Sequence, residues 1–491
     1  MKYRTFISVA VFVILTVVVS CNSSKNNEKS TRPNVLLFYM DDLRPQLGCY
    51  GNEQMLSPNI DRLASEGILF TEAYCNIPVC GASRASMLTG MYPTKNRFIN
   101  YNTFAEKEVP EAISFPKLFK MNGYTTISNG KIYHHLDDNM DDWDEVWRPY
   151  AFEKNNKGLA PTDYWQSLWK DYQLPDNHKE YLETGTGPAF EKADVNDTAY
   201  IDGLMTEKVI RDLRKLKGSK KPFLLTAGFI SNHLPFNSPA RHWDKYPENE
   251  IQQPYNNFKP ENVPKAAIGR WGEMRAYSGI PKHGQVSDDT AKVLIHGYYA
   301  TVSYVDALIG KILKTLKEEG LDKNTIVMLV ADHGYNLQEH TLWAKYTSFR
   351  ITSRVPLIMR IPGINGGRVS NSLVELVDVY PTLAELSSIK VPENQLEGKS
   401  LVPVLNDPEQ KINDYVFTKT ANAFMLTTPE YGYTEFINLK TGKPFAKMLY
   451  DHTKDPDENI NVVDKPEYSD IVKSLGGILH TRFAKNITGE R

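Results

Sequence analysis

Asn34-Val35-Leu36-Leu37-Phe38-Tyr39-Met40-Asp41-Asp42 is an apolar run that ends on two adjacent carboxylates, with Arg32-Pro33 just before it. A short, continuously apolar run reads as a strand buried on both faces, the kind that parallel sheets use. The pattern returns at Thr325 to Val330, where Asp332-His333-Gly334 follows. Tyr124 to Ser128 and Phe223 to Phe229 are further strand runs. Between them lie stretches of helical spacing at Ile60 to Glu66, Ser114 to Met121, Tyr200 to Lys217 and Lys292 to Glu319. Gly67, Gly123 and Gly320 are the stops for three of these. Strand and helix alternate, which predicts an α/β fold with a large, mostly parallel sheet flanked by helices. The polar clusters fall just past the strand ends, where open α/β sheets form their binding crevices. Beyond about Leu405 the pattern changes. Tyr415 to Thr420, Ala423 to Thr428 and Thr434 to Leu439 read as short antiparallel strands, and a helix at roughly Tyr468 to Phe483 closes the chain. The predicted organisation is a main α/β domain over 33–405 and a smaller C-terminal α+β subdomain over 406–491.

The chain has 491 residues and a formal net charge of −2, so no global basic field argues for nucleic acid. An anionic ligand has to be held by local positive charge in a pocket. Lys2 and Arg4 precede an apolar stretch, Phe6 to Val19, that is short for a membrane span. It ends Val18-Val19-Ser20-Cys21, which looks like a bacterial lipobox. The expectation is a lipoprotein signal peptide over 1–20, a lipid anchor on Cys21 and a flexible tether over 21–32. The rival is a plain secretory signal cut nearby. Either reading exports the globular part, to the periplasm or to the outer membrane or cell surface.

Asp41-Asp42 and Asp332-His333 put three carboxylates and an imidazole just past two strand ends. Converging on one crevice they would repel without a cation, and hard oxygen ligands suit Ca²⁺ or Mg²⁺. Read singly, Asp-Asp fits a solvated loop and Asp-His-Gly a tight turn. The other reactive stretch is Val79-Cys80-Gly81-Ala82-Ser83-Arg84, followed by Ala85-Ser86-Met87-Leu88-Thr89-Gly90 and read as the motif ahead of a helix start. Cys75 and Cys80 fit a structural pair or buried thiols. Once Cys21 is lipidated, Cys49, Cys75 and Cys80 remain, and an odd count leaves at least one thiol unpaired.

Cys80-Gly81-Ala82-Ser83-Arg84 resembles the signature of the sulfatase family, in which the cysteine is oxidised after translation to formylglycine. Arg32-Pro33-Asn34-Val35-Leu36, Asp41-Asp42 and Ser57-Pro58-Asn59-Ile60-Asp61-Arg62-Leu63-Ala64 with Gly67 are similar to the family's N-terminal block. More narrowly, Asp41-Asp42-Leu43-Arg44-Pro45, Gly48-Cys49-Tyr50-Gly51, Gly130-Lys131-Ile132-Tyr133-His134, Asp332-His333-Gly334, Glu339-His340 and Trp343-Ala344-Lys345-Tyr346 resemble the iduronate 2-sulfatase branch. Leu449-Tyr450-Asp451 and Asp455-Pro456-Asp457-Glu458 match the closing pattern. The resemblance implies an alkaline-phosphatase-like fold. It implies one Ca²⁺ held by Asp41, Asp42, Asp332, His333 and the modified Cys80. Arg84 would hold the formylglycine hydrate and the metal-site carboxylates, and Lys131, His134, His233 and Lys345 match the remaining active-site positions.

On that reading a hydroxyl of the aldehyde hydrate attacks sulfur, with Asp332 as base, while Lys131 and Lys345 offset charge on the sulfate oxygens. His233 gives the departing oxygen its proton, and His134 takes one from the second hydroxyl as the hydrate collapses. His135, His340 and Arg44 are candidates for supporting or substrate contacts. The implied partners are a sulfated carbohydrate and a maturation enzyme that converts Cys80. Two features depart from the pattern. Ala82 replaces the commoner Pro, which leaves the maturation system open. Ser231-Asn232-His233-Leu234-Pro235 lacks the extra His and Lys that the iduronate branch carries before this His, so iduronate specificity does not follow. The expected activity is hydrolysis of sulfate esters of a polysaccharide such as ulvan, carrageenan or a glycosaminoglycan. The alternatives are a phosphoester or phosphonate monoester hydrolase of the same superfamily, or a non-catalytic surface glycan-binding protein.

Overall fold

The computed structural model describes residues 32–148, 171–268 and 272–489. The predicted signal peptide, Cys21 and the tether up to residue 31 lie outside the described residues. Nine strands build the main sheet: β1 (Asn34–Met40), β2 (Ile68–Tyr74), β3 (Thr125–Gly130), β4 (Glu145–Trp147), β5 (Phe223–Gly228), β6 (Thr325–Ala331), β7 (Arg354–Arg360), β8 (Arg368–Ser370) and β9 (Val374–Glu375). Their order is β8-β2-β7-β6-β1-β5-β3-β4, with β9 also paired to β2. Only β7 runs against its neighbours; the other pairings are parallel, as the alternation predicts.

β1 lies at the centre, hydrogen-bonded to β6 on one side and β5 on the other. Val35 to Met40 are buried, so the strand can be apolar on both faces. Sequence reasoning found β1, β3, β5 and β6 but not β2 or β7. β2 carries Thr71 and Glu72 among its apolar residues, and both are half-buried. β7 carries Pro356, where its register against β2 shifts. A proline cannot donate to the ladder, and the shift accommodates it. The long helix is also longer than its apolar spacing indicated. It spans Asp288–Glu318, and the Ser287 hydroxyl caps it by accepting from the Thr290 amide. Asp288 and Asp289 are its acidic first turn.

The C-terminal part folds into a four-stranded antiparallel sheet, β10 (Val416–Lys419), β11 (Ala423–Thr427), β12 (Tyr431–Asn438) and β13 (Lys443–Asp451). The sequence reading anticipated three of these. β13 opens on Lys443-Pro444-Phe445 and its first half is exposed, so it shows no apolar run. The helix Ser469–Arg482 covers this sheet, with Leu475 and Leu479 set against Phe417, Tyr433 and Leu449. β10 is tied to the segment just before Cys80. The Lys419 amide donates to the Asn76 carbonyl (2.9 Å) and the Thr418 hydroxyl to the Cys75 carbonyl (2.8 Å).

Lys419 itself is fully buried, and its Nζ has no hydrogen-bond partner among the described residues. Burial pushes its ammonium down to about 8. The unfolded chain keeps a lysine near about 10.4, so between those values it binds more protons than the folded chain and stability rises with pH. Lys419→Met is expected to add about 1–3 kcal/mol at pH 7 and to flatten that rise. Urea denaturation of both proteins from pH 7 to 10 measures it; parallel stability curves would contradict the assignment.

Candidate active site

Cys80 is the first residue of the helix Cys80–Thr89, so the reactive motif is the helix's first turn rather than a loop ahead of it. Val79 before it is extended, and every residue of the helix is buried. Gly81 is required by packing: a Cβ there would strike the Tyr101 carbonyl. The Ser83 hydroxyl donates to the Asp332 carbonyl at 2.5 Å. Arg84 has no solvent exposure. Its Nε donates to Asp332 Oδ2 (2.9 Å), its Nη1 to the Lys131 and Ile132 carbonyls and its Nη2 to the Met40 carbonyl (3.4 Å). The ends of β1, β3 and β6 are thereby tied to the Cys80 helix.

Asp41 and Asp42 follow β1, and Asp332 and His333 follow β6, its neighbour. One ligand atom from each of Asp41, Cys80, Asp332 and His333 lies within 4.8 Å of the others. Asp42 joins them through Oδ1, 3.3 Å from His333 Nε2. His333 Nδ1 donates to the Gly334 carbonyl at 2.9 Å, which leaves the Nε2 lone pair facing the carboxylates. Asp41 Oδ1 is buried and accepts no hydrogen bond. Asp41 Oδ1 faces only the Arg84 guanidinium, at 3.5 Å, and His333 Nε2 lies 3.3 Å from Cys80 Sγ; carboxylate oxygens and an imidazole nitrogen gathered in one buried cluster are a donor set that fits a divalent cation. The five predicted ligands therefore converge.

Two lysines close the cluster. Lys131, after β3, pairs with Asp41 Oδ2. Gly228 at the end of β5 lets the Lys131 backbone pass where a Cβ would collide. Lys345 Nζ contacts both oxygens of Asp42, at 2.9 and 3.0 Å. Burial pushes Asp41 up, but Lys131 and Arg84 outweigh it and hold the carboxyl well below the usual range. Lys345 sits in a strained loop. Gln338, His340, Thr341, Ala344 and Tyr346 all have positive φ, as does Asp42. Such backbone costs of order 1–3 kcal/mol per residue and persists where surrounding contacts over-determine it.

The two predicted catalytic histidines are tuned in opposite directions. His134 is partly buried, and burial and the Lys131 ammonium push it well below 6.5. Its Nδ1 is buried and has no hydrogen-bond partner among the described residues. His233 donates from Nδ1 to the Leu234 carbonyl (2.6 Å), and its Nε2 lies 2.8 Å from Glu273 Oε1. Burial and Lys345 push His233 down, but Glu273 and Asp42 outweigh them and lift it to about 10. It is therefore a protonated donor at neutral pH. Paired groups pushed apart in this way mark an acid and a base. Burial pushes the Cys80 thiol up to about 11, aided by Asp41. An unmodified cysteine here is a poor nucleophile, since the thiolate is the reactive form.

Sequence reasoning missed Glu273, which also reaches Lys345 Nζ at 3.2 Å. It stands far from any motif, in a short turn, Glu273–Ala276. Tyr101 was missed too. The residue is 47% exposed, and its ring lies 6.3 Å from that of His134. The other candidates lie elsewhere. His135 stacks on Phe104 at 3.7 Å and serves packing. Arg44 pairs with Glu339 (2.8 Å) and lines, with His340, a separate cavity of about 400 Å³. Only the Arg44 amide supports the site: it donates to the Tyr298 hydroxyl, which donates to the Asp42 carbonyl. Cys49, Cys75 and Cys80 are all free thiols, so the structural pair is not formed.

Buried carboxylates balanced by cations at parallel-strand ends, a cysteine on a helix N-terminus and two oppositely tuned histidines suit the hydrolysis of anionic esters. The sequence profile of the sulfatase family matches residues 33–389, and that of the N-sulphoglucosamine sulphohydrolase C-terminal region matches 338–485. Iduronate 2-sulfatase of Homo sapiens is 32% identical over 418 residues, 77% of this chain and 74% of that protein. A sulfatase of Formosa agariphila is 28% identical over 98% of this chain and 92% of its own. Among solved structures, a protein in complex with its substrate D-glucosamine-2-N,6-O-disulfate superposes with a TM-score of 0.73 at 24% identity, covering 94% of this chain and 99% of that one. The phosphonate monoester hydrolase of Agrobacterium radiobacter also reaches 0.73, at 21% identity over 93% and 96%. These two likenesses concern the fold. The chain belongs to the sulfatase family and is a sulfuric ester hydrolase.

Removing one partner of a buried charge network strands the others. Arg84→Met is expected to cost about 3–5 kcal/mol by leaving Asp41 and Asp332 underpaired. Chemical denaturation measures it, and a loss below about 1 kcal/mol would show the network to be dispensable.

Proposed function

We propose that this protein is an exported, lipid-anchored sulfatase that cleaves sulfate esters of polysaccharides or their oligosaccharides, with Cys80 matured to formylglycine and one Ca²⁺ in the site. The observation that carries the reading is the convergence of Asp41, Asp42, Asp332 and His333 on Cys80 at a helix N-terminus. Those five residues would hold the ion, which when bound offsets negative charge on the sulfate. Formylglycine at position 80 supplies the hydrate hydroxyl that attacks sulfur.

The chain's other residues take definite parts. Lys131 and Lys345 place two ammonium groups beside the cluster, where they offset charge on the nonbridging oxygens. His233 carries the proton for the departing alcohol oxygen at Nε2, which pairs with Glu273 Oε1 until the ester oxygen takes its place, while Nδ1 stays bound to the Leu234 carbonyl. Burial and the Lys131 ammonium favour the neutral form of His134, which suits it to accept a proton. Arg84 binds Asp332 and the backbone, which fixes the carboxylates in place. Tyr101 offers an exposed aromatic side chain next to His134, a surface suited to a sugar ring. Export and anchoring rest on Lys2, Arg4, the apolar run Phe6 to Val19 and Cys21.

Intact-peptide mass spectrometry of natively matured protein is expected to show residue 80 lighter than cysteine by the difference between SH₂ and O. Cys80→Ala is expected to abolish turnover and leave the fold intact by circular dichroism. Full activity with an unmodified thiol would overturn the reading. Matched sulfate and phosphate esters of one alcohol test the ester class; faster phosphate release would favour the phosphonate-hydrolase alternative.

A further inference from the structure

We propose that Asp202 is a positioning residue for the proton donor: its carboxylate holds the turn that carries His233 and thereby sets where Nε2 meets the departing oxygen. The inference rests on the reading of His233 as the acid of a sulfatase. Asp202 is 2% exposed and lies in the first turn of the helix Ile201–Leu216. Its two oxygens each take one backbone amide from the chain just past β5. Oδ1 accepts from Ile230 at 3.0 Å and Oδ2 from Ser231 at 2.7 Å. The turn then closes on the proton donor, because the His233 amide donates to the Ile230 carbonyl at 3.0 Å. Asp202 grips the two residues that open the turn, and His233 ends it.

A carboxylate in the first turn of a helix also suits that helix's own N-terminus. Asp202 is turned to the loop instead, and the Ile201 amide donates to Asp171 at 2.9 Å. Both of its bonds to the loop are charge-assisted, the stronger kind. A second anchor lies on the other side of the turn: Asn232, at φ 84°, has its side-chain amide 3.1 Å from the Thr301 hydroxyl of the helix Asp288–Glu318. The carboxylates, the lysines and Cys80 stand on other elements: the ends of β1, β3 and β6, the loop after β6 and the Cys80 helix. Releasing the turn from Asp202 would therefore move His233 and leave those groups in place. An acid has to lie within hydrogen-bond reach of the oxygen it protonates, and a misplacement of about 1 Å can lower a rate by about 100-fold. Asparagine cannot stand in for the carboxylate, since one of its two positions is a donor that would face a backbone N–H.

The test uses the matured full-length enzyme and aryl sulfates with progressively poorer leaving groups, from 4-nitrophenyl through phenyl to 4-methylphenyl sulfate. 4-Nitrophenolate departs without a proton, whereas the poorer phenols depend on the acid. Asp202→Asn is expected to lower kcat/KM by about tenfold or more for 4-methylphenyl sulfate and by less than about threefold for 4-nitrophenyl sulfate. In a His233→Gln background the same substitution is expected to lower neither further, since coupled residues are not additive. The cycle is repeated on sulfated heparin and chondroitin disaccharides, which decide the case for an enzyme that ignores aryl esters. No loss, equal losses across the series, or losses that multiply with those of His233→Gln overturn the inference, because Asp202 would then not act through His233. Asp202→Glu keeps both acceptors but shifts them by a methylene, and it is read in the same way should Asp202→Asn not fold. A uniform loss across the series in His233→Gln alone would instead overturn the acid assignment, and the inference with it. A wild-type enzyme that releases no sulfate from any of these esters would overturn the sulfatase reading beneath both.

Discussion

The buried guanidinium of Arg84 is the constraint on which the rest depends. It sits without solvent contact between Asp332 and the backbone carbonyls of Met40, Lys131 and Ile132, with the Tyr39 ring 4.3 Å from its carbon. One planar group therefore satisfies the ends of three strands at once. A lysine could supply the charge but not the fork of donors in fixed directions. Burying such a charge is costly, and it is tolerated only because each face of the guanidinium has a partner. The Cys80 helix carries Arg84 one turn after the reactive residue, so the same contact that closes the sheet's end also fixes Cys80 against the carboxylates.

With that frame rigid, the chemistry becomes a matter of local electric environment. Two histidines sit in the site. Burial pushes both down; the Lys131 ammonium adds to it at His134, while Glu273 and Asp42 outweigh it at His233. The residue type is identical and the difference comes from neighbours. Cys80 shows the same logic in reverse. A helix N-terminus favours negative charge, yet burial and Asp41 prevail and the thiol stays protonated. A site that disfavours the thiolate is consistent with a reactive group made from this cysteine rather than the cysteine itself.

Much of this was legible from residues alone, for physical reasons that also explain the gaps. β1 and β6 announce themselves because strands buried on both faces must be apolar throughout, and the residues past their ends carry the charges. Asp41, Asp42, Asp332 and His333 were read at such strand ends, whereas Cys80, Arg84, Lys131, His134, His233 and Lys345 followed from the family resemblance; the structure brings them together. β2, β7 and β13 were hidden by a half-buried Glu72, by Pro356 and by an exposed Lys443-Pro444-Phe445 start. Glu273 and Tyr101 come from loops whose positions are set by tertiary contacts, so no period or spacing marks them. Arg44 and His340 share their motifs with true site residues, but their side chains turn into a different cavity.

The C-terminal sheet explains how a strained catalytic loop is kept. Residues 338–346 hold five non-glycine residues at positive φ, and Lys345 lies among them. Strain of this kind needs a counterpart elsewhere. Leu342 and Phe349, which bracket the loop's end, pack in one cluster with Ala423, Phe436, Met448 and Tyr450 of the C-terminal strands. The Tyr346 amide donates to the Pro78 carbonyl, two residues before Cys80, while β10 grips Cys75 and Asn76 from the other side. Lys345 and Cys80 are thus positioned from the same C-terminal sheet, by apolar packing at one and by backbone hydrogen bonds at the other. The smaller sheet contributes none of the charged groups, and its part is to hold the two loops that do.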